Sequence, residues 1–269
     1  MNQMARTGSP ATTAAPATLL TFPPMIDGEL TRFVLDQHGI AYDERPHIAI
    51  VANLIALARA RTINLPVLSN ILSGTVPAIA GARPIIDWSE TQGPPARRLV
   101  PSGPAQAATV ERLWHRANDD LAAATAAFAY FHLLPHRAIM IVPLSRGAPG
   151  WEVFATKLAY PVFAGFIGKV LGLSEAKAAT SLATIRAVFA ECDALLADGR
   201  DFLTGDRLTL ADIAMATAAA PLLLPEGYGA PIPPLAAMPP VLQELVAALR
   251  RTRTAGFVQA VYRQRPAKA

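Results

Sequence analysis

The hydrophobic positions change period several times along the first hundred residues, and the changes read as alternating strands and helices. Thr18-Leu19-Leu20-Thr21-Phe22 is a short β-prone run ended by Pro23-Pro24, and Gly28 to His38 has the period of a helix that stops at Gly39. Ile40 to Glu44 reads as a second strand, and the apolar residues between Ile48 and Arg61 as a second helix. Val76 to Ile79 and Pro84 to Asp87, separated by Gly81, read as two strands of a hairpin that closes the same sheet. From Pro104 onward the period is helical throughout, in segments near 105–134, 150–171, 174–198, 209–224 and 238–251. A composition shift near residue 100 marks a domain boundary. The expected organisation is a tail over 1–17, an α+β domain over 18–100 and an all-helical domain over 101–269.

Composition narrows the class. The chain has 269 residues, of which 52% are hydrophobic and 16% charged, so a sizeable core is affordable in each of two domains. No uninterrupted apolar run reaches the roughly 18 to 20 residues of a membrane-spanning helix. The most apolar stretch, Val153 to Leu173, is divided by Lys157, Pro161 and Lys169 and reads as a buried helix pair, so no membrane partner is expected. A net charge of +4 is spread thinly, with no basic stripe for a nucleic acid. The single cysteine, Cys192, excludes an internal disulfide or a CxxC redox pair, and residues 1–17 lack the apolar core of a secretory signal. A cytoplasmic protein is expected. The five histidines show no HExxH or Cys/His spacing, so no metal site is expected.

The chemistry-bearing residues lie between Thr75 and Glu90. A proline that opens a strand directly after Val76 belongs at a bend, where a cis bond costs only about 0.5 to 1 kcal/mol, and such a bend turns the backbone N–H and C=O of Val76 outward toward an extended peptide ligand. Val76-Pro77-Ala78-Ile79, then Gly81, then Ser89 twelve positions after the proline, resembles the glutathione site of the cytosolic glutathione transferases, of bacterial type and unassigned class. The resemblance implies a thioredoxin-like domain followed by a helical domain. It implies that Thr75, Val76 and Pro77 carry the cysteinyl backbone of glutathione, and that Ser89, at a helix N-terminus, receives the γ-glutamyl carboxylate. Leu65-Pro66-Val67-Leu68 has the same local form, but twelve residues beyond Pro66 stands Ala78, which has no polar group, so the Pro77 register is preferred. Trp88 stands where the family carries an acid or glutamine, and leaves Asp87, Glu90 or a partner's acid as alternatives for the ligand's amine.

The first strand and helix extend the resemblance. Leu20-Thr21-Phe22-Pro23 is similar to the start of the tyrosine-type transferases, with Thr21 in place of the tyrosine whose hydroxyl holds the thiolate. Thr21 is the implied thiol partner, or else a strand residue whose hydroxyl bonds backbone or water. Serine- and cysteine-type members activate sulfur a few positions later, where this chain reads Met25-Ile26-Asp27-Gly28, with Met25 facing the sulfur. In the helical half, Phe202 to Ile213 is very similar to the family's late-helix signature, with Thr209 and Asp212 in an N-capping arrangement. Asn118-Asp119-Asp120 lies where the family places an acid near the partner subunit's glutathione, or forms a solvated helix face. The implied protein is a homodimeric glutathione transferase with glutathione as co-substrate and a small apolar electrophile. The alternative is a glutathione- or apolar-ligand-binding protein with little turnover.

Overall fold

The computed structural model describes residues 16–70 and 78–268. Strand β1 (Ala17–Thr21) leads into helix α1 (Ile26–His38), which Gly39 ends in the left-handed conformation at φ 71°. Strand β2 (Tyr42–Pro46) and helix α2 (Ala49–Ala60) follow, and then β3 (Val67–Ser69) and β4 (Ile79–Ala80). The sheet order is β2-β1-β3-β4; β2 is parallel to β1, and the other two pairings are antiparallel. This is the thioredoxin-like arrangement that the resemblance implies.

The sheet closes differently from the expected hairpin. Pro84 to Asp87 is not a strand: it lies in helix α3 (Ala82–Gln92), which starts directly after β4. Pro84 occupies the first turn, where a helix amide has no intrahelical partner in any case, so its missing N–H costs nothing. Strand β3, directly after the Leu65-Pro66 bend, lies inside the sheet, and β4 at its edge begins at Ile79, the last residue of the expected Val76–Ile79 strand.

The remainder is helical, as expected. Helices α4 (Pro104–His115) and α5 (Ala123–Leu133) are joined by a π-helical stretch over Arg116–Ala122. Helices α6 (Arg137–Ser145), α7 (Gly150–Leu158) and α8 (Tyr160–Val170) precede the long α9 (Glu175–Leu195). Helix α10 (Leu210–Leu223) is buried nearly all round, and α11 (Pro240–Leu249) and α12 (Arg253–Arg263) pack beside it. The capping acid of α10 works as the sequence suggests: Asp212 accepts hydrogen bonds from the Thr209 N–H at 2.7 Å and hydroxyl at 2.6 Å, and from the Leu203 N–H at 2.7 Å. The expected burial of the 153–173 pair is corrected. Helices α7 and α8 meet at 86°, and Phe154, Leu158, Val162 and Val170 are 66 to 76% exposed.

Helix α1 is buried against the sheet, α3 and α10, and it carries its charges with it. Fully buried Glu29 accepts from Arg32 Nη2 at 2.8 Å, Arg265 Nη1 at 2.7 Å, the Gly229 amide at 3.0 Å and the Tyr262 hydroxyl at 3.3 Å. Burial alone would raise the Glu29 pKa, but Arg32, Arg265 and the Gly229 N–H outweigh it and hold the carboxyl below its ordinary value. Removing one member of a buried, bonded charge set costs about 3 to 5 kcal/mol, because it strands the others. Glu29→Ala is therefore expected to lower the unfolding free energy by about that amount in urea titration. Since the folded-state pKa is depressed, the Glu29 contribution is complete above the ordinary carboxylate range and is lost as pH falls through the folded value. Asp36, raised by burial more than Arg265 lowers it, works in the opposite direction.

Candidate functional site

The N-terminus of α1, the turn before β3 and the start of α3 converge on one side of the sheet, facing α5, α6 and α8. They enclose a cavity of about 720 Å³ lined mainly by apolar side chains, among them Phe22, Met25, Leu65, Ala126, Met140, Phe166 and Leu242. A cavity of that volume matches small-molecule sites in general.

Two backbone features lie on its wall. The Leu65–Pro66 peptide is cis, and the Gly81 N–H donates to Pro66 O at 2.8 Å, which fixes the turn against the start of α3. Gly81, at φ 92°, precedes α3, and no side chain caps that helix. Among the described residues the first amides of α3, on Ala82 and Arg83, have no hydrogen-bond partner, and a helix N-terminus suits an anion there, with the dipole in support. Leu65, Gly81 and Ala82 all line the cavity.

Its polar groups are few. Asp27, in the first turn of α1, is the one ionised side chain among the lining residues at neutral pH. Burial, and then the nearby Asp119 charge, push its pKa from 3.8 up to about 6. Tyr130 and Tyr228 line the opposite wall, and burial raises both phenols, so each stands as a neutral hydroxyl. No lysine or arginine lines the cavity among the described residues.

The sequence-derived site is only partly assembled. Thr75, Val76 and Pro77 lie outside the described residues. Met25 stands at the N-cap of α1 and lines the cavity. Thr21 is fully buried, and its hydroxyl donates to Glu44 Oε1 at 2.6 Å, an oxygen that also receives Arg32 Nη1 at 2.7 Å. Its hydroxyl is therefore spent inside the fold, and Thr21 is not among the cavity residues. Ser89 is corrected: it lies two turns inside α3, fully buried, not at a helix N-terminus. Its hydroxyl donates to Ile86 O at 2.8 Å and lies 3.0 Å from His38 Nδ1. Trp88 packs on the Leu19, Leu35 and Leu68 side of the sheet, away from the cavity. Asn118 reaches the cavity, whereas Asp119 is held by His115 at 2.7 Å and Asp120 by Arg116 at 2.8 Å.

Leu65, Ala82 and Tyr228 line the cavity without having been assigned to the site from the sequence, and Gly81, quoted there only as part of the Val76 motif, lines it too. The Leu65-Pro66 bend had a visible signal, the same local form as Val76-Pro77. Gly81 and Ala82 contribute backbone alone, and Tyr228 lies in a loop with no pattern, so neither carried one. Asp27 was in view only as a residue that is neither serine nor cysteine.

Because the folded pKa of Asp27 is raised, the folded state keeps its proton to higher pH than the unfolded chain does. Stability is then lost as pH rises from near 3.8 through about 6. Asp27→Asn is expected to raise the thermal midpoint at pH 8 and leave it unchanged at pH 3, measured by calorimetry. An equal shift at both pH values would contradict a titrating carboxyl there.

Comparison with known proteins identifies the fold. Residues 175–251 match the model of the glutathione S-transferase C-terminal domain. No curated protein matches this sequence. Among solved structures, a glutathione S-transferase of Methylobacterium radiotolerans JCM 2831 in complex with glutathione sulfonate is 19% identical, with 95% of this chain and 97% of that one covered and a TM-score of 0.53. A glutathione S-transferase of Methylobacillus flagellatus KT with glutathione bound is 17% identical, covering 90% and 98%, with a TM-score of 0.52. The β-etherase LigF of Sphingobium sp. strain SYK-6 is 13% identical, covering 91% and 98%, with a TM-score of 0.55. A four-stranded sheet with α1 and α3 at its cleft, followed by a helical half whose 175–251 segment matches the model of the glutathione S-transferase C-terminal domain, gives this chain the glutathione S-transferase fold.

Proposed function

We propose that the protein is a ligand-binding member of its fold, which holds an apolar small molecule in the cavity and glutathione on the adjoining backbone, with slow conjugation. The observation that carries this reading is a largely apolar cavity of about 720 Å³ that runs directly into the Leu65 bend and the uncapped start of α3. An extended peptide can pair with Leu65 across the cis bend. A carboxylate can sit on the Ala82 and Arg83 amides. Each such charge-assisted bond is worth about 1.5 to 3 kcal/mol.

The sulfur end argues against fast turnover. Thr21 donates its hydroxyl to Glu44, and the first turn of α1 offers Asp27 where serine- and cysteine-type relatives keep their activating group. A carboxylate close to a bound thiolate disfavours it by like-charge repulsion, so Asp27 lowers the thiolate population. A second reading, transfer of glutathione to an electrophile, is favoured by the neutral hydroxyls of Tyr130 and Tyr228 on the facing wall, which can donate to developing charge.

Two variants test these statements. Proline is well tolerated at the first position of a helix, so Ala82→Pro deletes one anion-binding amide while preserving α3. Calorimetry is expected to show glutathione affinity reduced about tenfold or more; an unchanged affinity would place the ligand elsewhere. Asp27→Asn is expected to speed conjugation of a chloronitroarene about tenfold at pH 7.5. A rate that falls instead would make Asp27 a participant in catalysis and favour the second reading.

A further inference from the structure

Helices α7 and α8 present apolar side chains to solvent in a regular row. Trp151, Phe154 and Leu158 repeat at helical spacing on α7 and are 63, 68 and 76% exposed. Val162, Phe166 and Val170 continue at four-residue intervals on α8, 75, 43 and 66% exposed. Helix α2, joined to α7 by the Ile48 N–H and His47 bonds to buried Glu152, adds Ile50, Leu54 and Leu57 at helical spacing. A single-chain protein in water rarely leaves so much contiguous apolar surface uncovered.

The exposed charges on the segments that carry this surface have one sign. Arg59, Arg61, Arg137, Arg146, Lys157 and Lys169 are exposed on the segments 49–63 and 134–173, and the one acid in those segments, Glu152, is buried. A second copy packed face to face about a two-fold axis would bring each patch against itself, apolar on apolar but cation toward cation. An anionic bilayer surface satisfies both parts: apolar side chains enter the acyl boundary, and lysine and arginine extend to the headgroups. No single described helix is long and apolar enough to cross a membrane, and the 86° bend between α7 and α8 suits a pair that lies on the surface.

We propose that α2, α7 and α8 form a membrane-docking face for anionic lipid bilayers, and that the cavity opens onto it. Phe166, Val170 and Ile63 are exposed on this face and also line the cavity, so an apolar molecule can pass from the bilayer into the cleft without crossing water. The route rests on the proposed ligand binding; the docking face does not.

Flotation with vesicles tests the face by itself. The full chain is expected to float with phosphatidylcholine vesicles containing about one-third phosphatidylglycerol, and about tenfold more weakly with phosphatidylcholine alone, since anionic headgroups attract each nearby cation. A Phe154→Ser, Leu158→Ser, Val162→Ser triple variant avoids the cavity lining, should retain the parent's thermal midpoint and should stay unbound. The proposal is overturned if the parent does not float, or if the folded triple variant floats undiminished. It is also overturned if sedimentation shows a tight dimer that excludes vesicles and that the triple variant dissolves, the outcome expected for a second copy. If the face binds vesicles but no apolar probe enters the cavity, the route fails while docking stands.

Discussion

A carboxylate with no access to water organises this molecule. Glu29 sits inside α1 and draws Arg32 from its own helix, Arg265 from the segment after α12, and the Gly229 amide from the loop after α10. Such a group is tolerated only when every lone pair is answered, so α1 can lie between the sheet and the helical half in one way. Arg32 passes the constraint onward through Glu44 to Thr21 at the end of β1. The network fixes where the first turn of α1 points, and that turn carries Met25 and Asp27 into the cleft.

The same constraint explains why the site departs from its fold's usual chemistry. The Thr21 hydroxyl, placed where a sulfur-facing hydroxyl would be sought, is consumed by the ion network behind it. The recognition surfaces proposed in their place are the cis Leu65–Pro66 bend and the α3 amides, both formed by backbone. On that proposal selectivity falls to the cavity, where apolar walls, two neutral phenols and one carboxylate favour an apolar ligand over a strongly anionic one.

The strand and helix order was legible because apolar period and capping residues act locally: Gly39 ends α1, and Thr209 with Asp212 starts α10. The register of the ligand-binding bend was harder to read. Leu65-Pro66 and Val76-Pro77 look alike within four residues, and the serine twelve positions beyond Pro77 decided the choice, yet Ser89 serves the packing of α3 against His38. Pro84-Ile85-Ile86 reads as a strand until the helix-start tolerance for proline is considered. Pro143 concealed α6 and a run of arginines concealed α12. The stripe on α7 and α8 has the period of a buried helix face, and period alone does not say whether protein or something else covers it.

The central claim is that backbone, not Thr21 or Ser89, receives glutathione beside an apolar cavity. A crystal structure of the protein soaked with glutathione tests it most directly. The cysteinyl backbone is expected to pair with Leu65, one carboxylate to sit on the Ala82 and Arg83 amides, and the sulfur to face the cavity near Asp27. A tripeptide held by the Thr21 hydroxyl, or bound with no contact to Leu65 and Ala82, would contradict it.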